Sequence, residues 1–150
     1  MTQQGKELLL KDLCARLPYG VIMTNKMLTE TYYPLDGNEW QEAYYDDDWD
    51  DVPYLRPMSS MTEEERHDLL VTIVGNEGIK YFQVLTDGSI DNTDAAIQDL
   101  NKFNMHWVNF DKDNVTSYLD WLNAHHFDFR GLIPKGLAIE VTEVNNPYKD

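Results

Sequence analysis

Residues 5–24 read GKELLLKDLCARLPYGVIMT. Leu10, Leu13, Cys14 and Leu17 recur at helical spacing, which predicts a helix over 5–17. Pro18 stops it, because the residue before a proline is pushed out of the α region. Tyr19-Gly20 then opens a strand over Val21–Thr24. Cys14 falls on the apolar stripe of this helix and reads as a core thiol without chemistry. A helix that switches at once to a strand starts a mixed fold.

The pattern continues outward from there. A second strand is expected over Thr29–Tyr33, ended by Pro34, and Asp36-Gly37 reads as a turn. Glu39–Tyr45 stays open between strand and helix, since Trp40, Tyr44 and Tyr45 suit either period. Asp46–Asp51 reads as a loop or strand end. Like charges at ~4 Å in water cost about 1 kcal/mol per pair, which disfavours regular structure in such a run. Thr62-Glu63-Glu64-Glu65 matches a capping box, with the glutamates at the positive end of the helix dipole. That helix should reach about Val74, burying Leu69, Leu70 and Ile73, and Gly75 closes it.

Further on, Ile79–Thr86 alternates like a strand and leads into an Asp87-Gly88 turn. Asn92 or Thr93 caps a helix to about Phe103, and Met105–Phe110 reads as a strand. Asp111–Asp113 is a cap region for a helix over 114–126, with Val115, Leu119 and Leu122 inward. A last strand is expected over Leu137–Val144, followed by a tail. The helical segments are too few and the strands too uneven for a doubly wound sheet. The expected class is α+β in a single compact domain, 1–150. Its short N-terminal part is β-rich, with a small barrel as one arrangement, and helices packed on a mixed sheet follow.

The chain has 150 residues, 42% of them hydrophobic and 12% aromatic. That is enough to build a core, and too apolar for disorder. Its one cysteine allows no internal disulfide and fits a reducing compartment. The N-terminal stretch lacks the apolar run of a signal peptide, and nothing approaches the ~20 residues of a membrane span. A cytoplasmic location is therefore expected. Twelve basic residues against 27 acidic ones give a net charge of -15. This argues against nucleic acid and anionic membranes, and favours basic protein partners or cations.

The acids are unevenly placed. Between Lys26 and Arg56 there is no basic residue, yet nine acids are interleaved with seven tyrosines and tryptophans. Such a segment points to a surface that meets something cationic. The expected partner-binding residues are Trp40, Glu42, Tyr45, Asp46, Asp47, Asp48, Trp49, Asp50 and Asp51. A calcium loop fails on spacing. Asp46, Asp48 and Asp50 fit positions one, three and five, but Asp51 stands where glycine should and Pro57 where glutamate should. Asp87, Ser89 and Asp91 fail in the same way, at Asn92 and Gln98.

Other chemistry is weaker. His125-His126 project about 100° apart on a helix, so they do not share a face as metal ligands would. They read instead as His⁺ meeting the dipole at a helix end. Ser59-Ser60 lack a nucleophile elbow, and no phosphate-binding glycine motif is present. No cofactor, metal or catalytic residue is expected. Arg56 and Arg130, two of few cations, read as buried ion-pair anchors, with a ligand carboxylate as the alternative.

Three blocks carry a resemblance: Lys11 to Val21 (KDLCARLPYGV), Pro53 to Glu65 (PYLRPMSSMTEEE) and Asp120 to Ala138 (DWLNAHHFDFRGLIPKGLA). Together they resemble a set of uncharacterised proteins from gut Bacteroidales and their phages or other mobile elements. The resemblance implies a bacterial or phage setting and no activity. It also implies that the blocks are shared scaffold and the intervening segments, including the acidic-aromatic window, are particular to this chain. The expected function is a small acidic interaction protein that docks a basic protein surface, with a mobile-element inhibitor or nucleic-acid mimic as one version. A small enzyme using carboxylates near Trp107 or Trp121 on a small or sugar-like substrate is one alternative. A structural or assembly component is another.

Overall fold

A computed structural model describes residues 1–25, 28–72 and 112–149. Two compact units divide the chain. Met1–Ser60 joins Leu122–Asp150 in the first, and Met61–Trp121 forms the second. The first unit carries the acidic window.

Helix α1, Gln3–Arg16, starts on a Thr2 cap whose hydroxyl accepts from the Gly5 amide. Its buried positions are Lys6, Leu9, Asp12, Leu13 and Arg16, spaced three or four apart. The expected stripe is thus rotated. Leu10 is half-buried, and Cys14 is exposed rather than in the core. The helix is inverted from the usual pattern because two of its charged residues, Asp12 and Arg16, pair with each other inside the fold. A 3-10 turn over Leu17–Tyr19 absorbs Pro18. Gly20 follows at φ 67, a left-handed conformation that glycine adopts without a Cβ clash.

Four strands make an open mixed sheet in the order β2-β1-β3-β4. They are β1, Ile22–Asn25; β2, Leu28–Pro34; β3, Val52–Leu55; and β4, Ile139–Glu140. β1 runs antiparallel to β2 and β3, and β4 runs parallel to β3. Helices beside a mixed sheet make the protein α+β. Strand β3 includes Pro53. Pro53 fits there because β4 pairing begins only at Tyr54. The last strand is far shorter than its alternation suggests. Asn145 Oδ1 accepts from both the amide and the hydroxyl of Thr142, closing a turn where the strand should continue.

Glu39–Tyr45 is helical. Helix α2, Gly37–Tyr45, is capped by Asp36, whose carboxylate accepts from the Glu39 amide at 2.8 Å. The Asp36-Gly37 turn signal is therefore a helix start. Leu9, Leu13, Val21, Met23, Leu35, Leu55, Leu132, Leu137 and Ala138 form the unit's core, with Trp40 and Trp49 packed against its edge.

In the second unit, residues 63–72 form helix α3. The Thr62 amide donates to Glu65 Oε1 at 3.2 Å and the Glu65 amide to Thr62 Oγ1 at 3.1 Å, which is the reciprocal capping box. Leu69 and Leu70 are buried as expected. The expected end of this helix, the strands at 79–86 and 105–110, the helix to Phe103 and the Asp87–Asp91 loop lie outside the described residues. Helix α4 spans Lys112–Ala124. It ends in a Schellman motif, with Phe127 N bonded to Leu122 O and His126 N to Asn123 O.

No helix among the described residues is long and apolar enough to cross a membrane.

Candidate functional site: an acidic aromatic edge beside a buried arginine pair

The acidic window divides into an anchored part and a free part. At its start, the α2 cap turns the chain: Asp46 N donates to Glu42 O at 2.9 Å. Asp46 Oδ1 then accepts from the Asp48 amide at 2.9 Å, a turn that aspartate forms with its own backbone. From α1, the buried Lys6 ammonium donates to Asp46 O at 2.6 Å and lies 3.8 Å from Asp47 Oδ1. A lysine forty positions earlier thus serves a window that has no base of its own.

At its far end the run turns inward. Asn25 Nδ2 donates to Asp50 Oδ1 at 3.0 Å and to Asp51 Oδ1 at 2.9 Å. The Tyr33 hydroxyl donates to Asp51 Oδ2 at 2.6 Å. Burial first, and then this bond to a carboxylate, hold the Tyr33 phenol well above its ordinary range. Asp46 and Asp50 each give a carboxylate oxygen to a different partner, the Asp48 amide and the Asn25 side chain, rather than to a common point. Among the described residues no group of three or more histidines, cysteines and carboxylates is placed to hold a metal ion.

Of the nine expected binding residues, Trp40 and Trp49 are half-buried against the core. Asp46, Asp50 and Asp51 shape the loop. Glu42, Tyr45, Asp47 and Asp48 face solvent, with Tyr45 at 73% exposure. Glu42 and Tyr45 sit three residues apart on one face of α2. Tyr44 meets the Tyr45 ring edge-on at 5.1 Å, which orders both. The negative field of this edge also reaches Glu39. Loss of solvent and then Glu42, Asp36 and Asp51 push its carboxyl above the ordinary range.

Sequence reasoning missed the strongest electrostatic feature. Arg16 is fully buried, donating from Nε to Asp12 Oδ2 at 2.7 Å and from Nη2 to Phe127 O at 2.6 Å. Arg130 Nη1 takes the other Asp12 oxygen at 2.8 Å. Phe129 lies beneath both guanidiniums, at 5.5 Å from Arg16 and 4.4 Å from Arg130. Arg130 is the ion-pair anchor the sequence suggests. Arg56 stacks on Phe127 at 4.2 Å and reaches Ser60 O at 3.4 Å. The available signal was the spacing of Asp12 and Arg16, four apart on a helix.

His126 corrects its own reading. It is the left-handed residue of the Schellman motif, at φ 64, and its ring stacks on Tyr148 at 3.8 Å and 8°. Burial, then Arg16, His125 and Arg56, lower its pKa to about 4. It is a neutral imidazole at pH 7, not a cation on the helix dipole. Tyr148 is itself fixed, accepting from Ile22 N at 3.0 Å and donating to Tyr54 O at 2.7 Å.

Compared with known proteins, this chain matches no family model, no curated protein and no solved structure.

Proposed function

We propose that the protein is a non-enzymatic binding protein that docks a basic protein surface through Glu42, Tyr45, Asp47 and Asp48. One observation carries the reading: an exposed, ordered tyrosine stands beside carboxylates that point to solvent on a rigid helix end. An aromatic with few rotatable bonds supplies a low-entropy anchor, and the surrounding carboxylates steer a cationic partner. The fixed backbone matters as much as the charge. Lys6, Asn25 and Tyr33 hold both ends of the loop, so little order is lost on docking. Inhibition of a nucleic-acid-binding host protein, by presenting carboxylates where phosphates would sit, is one form of this activity. It accords with the resemblance to mobile-element proteins.

The test is capture of the partner from a bacterial lysate, then titration of the purified partner at low and high salt. Glu42→Gln, Asp47→Asn and Asp48→Asn together should weaken binding by about tenfold or more and flatten its salt dependence. Tyr45→Ala should weaken it at every salt concentration. Melting temperature should not fall in either variant. Binding that ignores both sets of changes would sink the proposal.

A further inference from the structure

The geometry points to a second site, a groove between α1 and α2 that takes a small carboxylic acid with an aromatic or branched apolar body. It uses a different stripe of α2 from the docking edge, that of Trp40 and Tyr44, and does not depend on that reading. The groove is open to solvent, offers about 520 Å³ and is bounded by the outward face of α1, from Glu7 to Ala15, and by Arg130. That volume suits a small ligand.

Its apolar wall is already ordered. The Trp40 indole donates to Leu10 O at 3.2 Å, and the Tyr44 ring lies 5.7 Å from it at 22°. The two near-parallel rings stack on one another and form an ordered apolar wall. Leu10, Cys14 and Ala15 complete it from α1. A planar or branched hydrocarbon body matches this lining better than a sugar or a phosphate would.

The charge of the groove is the reverse of the protein's. Asp12 serves both Arg16 and Arg130, so one carboxylate faces two guanidiniums. That cluster has one surplus positive charge, and the buried Arg16 Nη1 has no hydrogen-bond partner. Lys11 adds a second cation, with no ion pair among the described residues. Glu7 balances one of the two, and its Oε1 already accepts from Gln3 at 3.1 Å. One positive charge is left over at an apolar groove in a chain of net charge -15. A monoanion on an apolar body neutralises it. Arg130 is the natural contact, because Asp12 and Phe129 hold its guanidinium in place before any ligand arrives.

Calorimetric titration of the full chain with 3-phenylpropionate and with 3-phenylpropanol tests this. The acid should saturate with a dissociation constant on the order of 1 mM or lower. The alcohol should bind about tenfold more weakly. Lys11→Gln should cut that preference, and Arg130→Gln should abolish it. Should Arg130→Gln fail to fold, Ala15→Trp decides alone: on the outward face of α1 it fills the groove, and binding of both probes should vanish with the melting curve intact. Absence of saturation by the acid, equal affinity for acid and alcohol, or binding that survives Ala15→Trp would each overturn the proposal.

Discussion

Arg130 Nη1 reaches Asp12 Oδ1 at 2.8 Å across 118 residues of chain. Because Asp12 is fully buried and also holds Arg16, it is the hinge of the unit's electrostatics. Removing one member of a buried ionic cluster costs more than removing the whole. Asp12→Asn should destabilise by about 3–5 kcal/mol, since two guanidiniums then repel with no carboxylate between them. Asp12→Leu combined with Arg16→Met and Arg130→Met should recover most of the loss. Calorimetric melting of the single and triple variants gives the comparison.

His126 sets a pH dependence. In the unfolded chain its pKa is near 6.5, and in the fold burial holds it at about 4. As pH falls through 6.5 the unfolded state takes a proton that the native state refuses. The stability from the neutral ring is complete above pH 6.5 and is lost progressively down to about pH 4. Asn tolerates the left-handed backbone, so His126→Asn keeps the Schellman motif and removes the titration. Between pH 7.5 and pH 5 the wild type should lose about 1–2 kcal/mol more than the variant, allowing for partial solvation of the ring. Equal losses in the two proteins would refute the linkage.

The aspartates should separate by role. Asp51→Ala removes the acceptor for Tyr33 and Asn25, and should cost about 1–3 kcal/mol. Asp48→Asn, whose side chain faces solvent among like charges, should be neutral or slightly stabilising. Chemical denaturation of the two single variants distinguishes a structural acid from a surface one.

Tyr148→Phe deletes one hydroxyl that both accepts from Ile22 N and donates to Tyr54 O. The two backbone groups lose a partner while the ring keeps its stack on His126. A loss of about 1–2 kcal/mol in melting stability is expected.

Cys14 lies on the solvent face of α1, so a thiol reagent should modify the native protein fully without denaturant. A core cysteine would react only on unfolding. Filling of the neighbouring groove by 3-phenylpropionate should slow the reaction.

Legibility followed locality. The capping box at Thr62 and Glu65 was readable because its partners lie three residues apart. The aspartate cap at Asp36, which accepts from the Glu39 amide, is an equally local signal and marks the start of α2, whose aromatic period alone is ambiguous. The strand at Val52–Leu55 is masked by Pro53, which propensity assigns away from sheets. The α1 stripe was misplaced because Asp12 and Arg16 look like surface residues. Only their pairing with each other, and with Phe127 and Arg130 far along the chain, makes burial affordable. The acidic edge was found by composition, but composition could not say which acids are bonded inward. That depended on Lys6, Asn25 and Tyr33, none of which lies in the aspartate run.

The first unit is written in two pieces, Met1–Ser60 and Leu122–Asp150. A ribosome that has released only the first piece has made Asp12 and Arg16, but neither the Phe127 carbonyl nor Arg130. β3 has been made too, without β4 to pair with it. Until residues 122–150 emerge, the nascent chain holds an incomplete charge cluster and an open strand edge, so this unit cannot complete its folding before the whole intervening segment has been made.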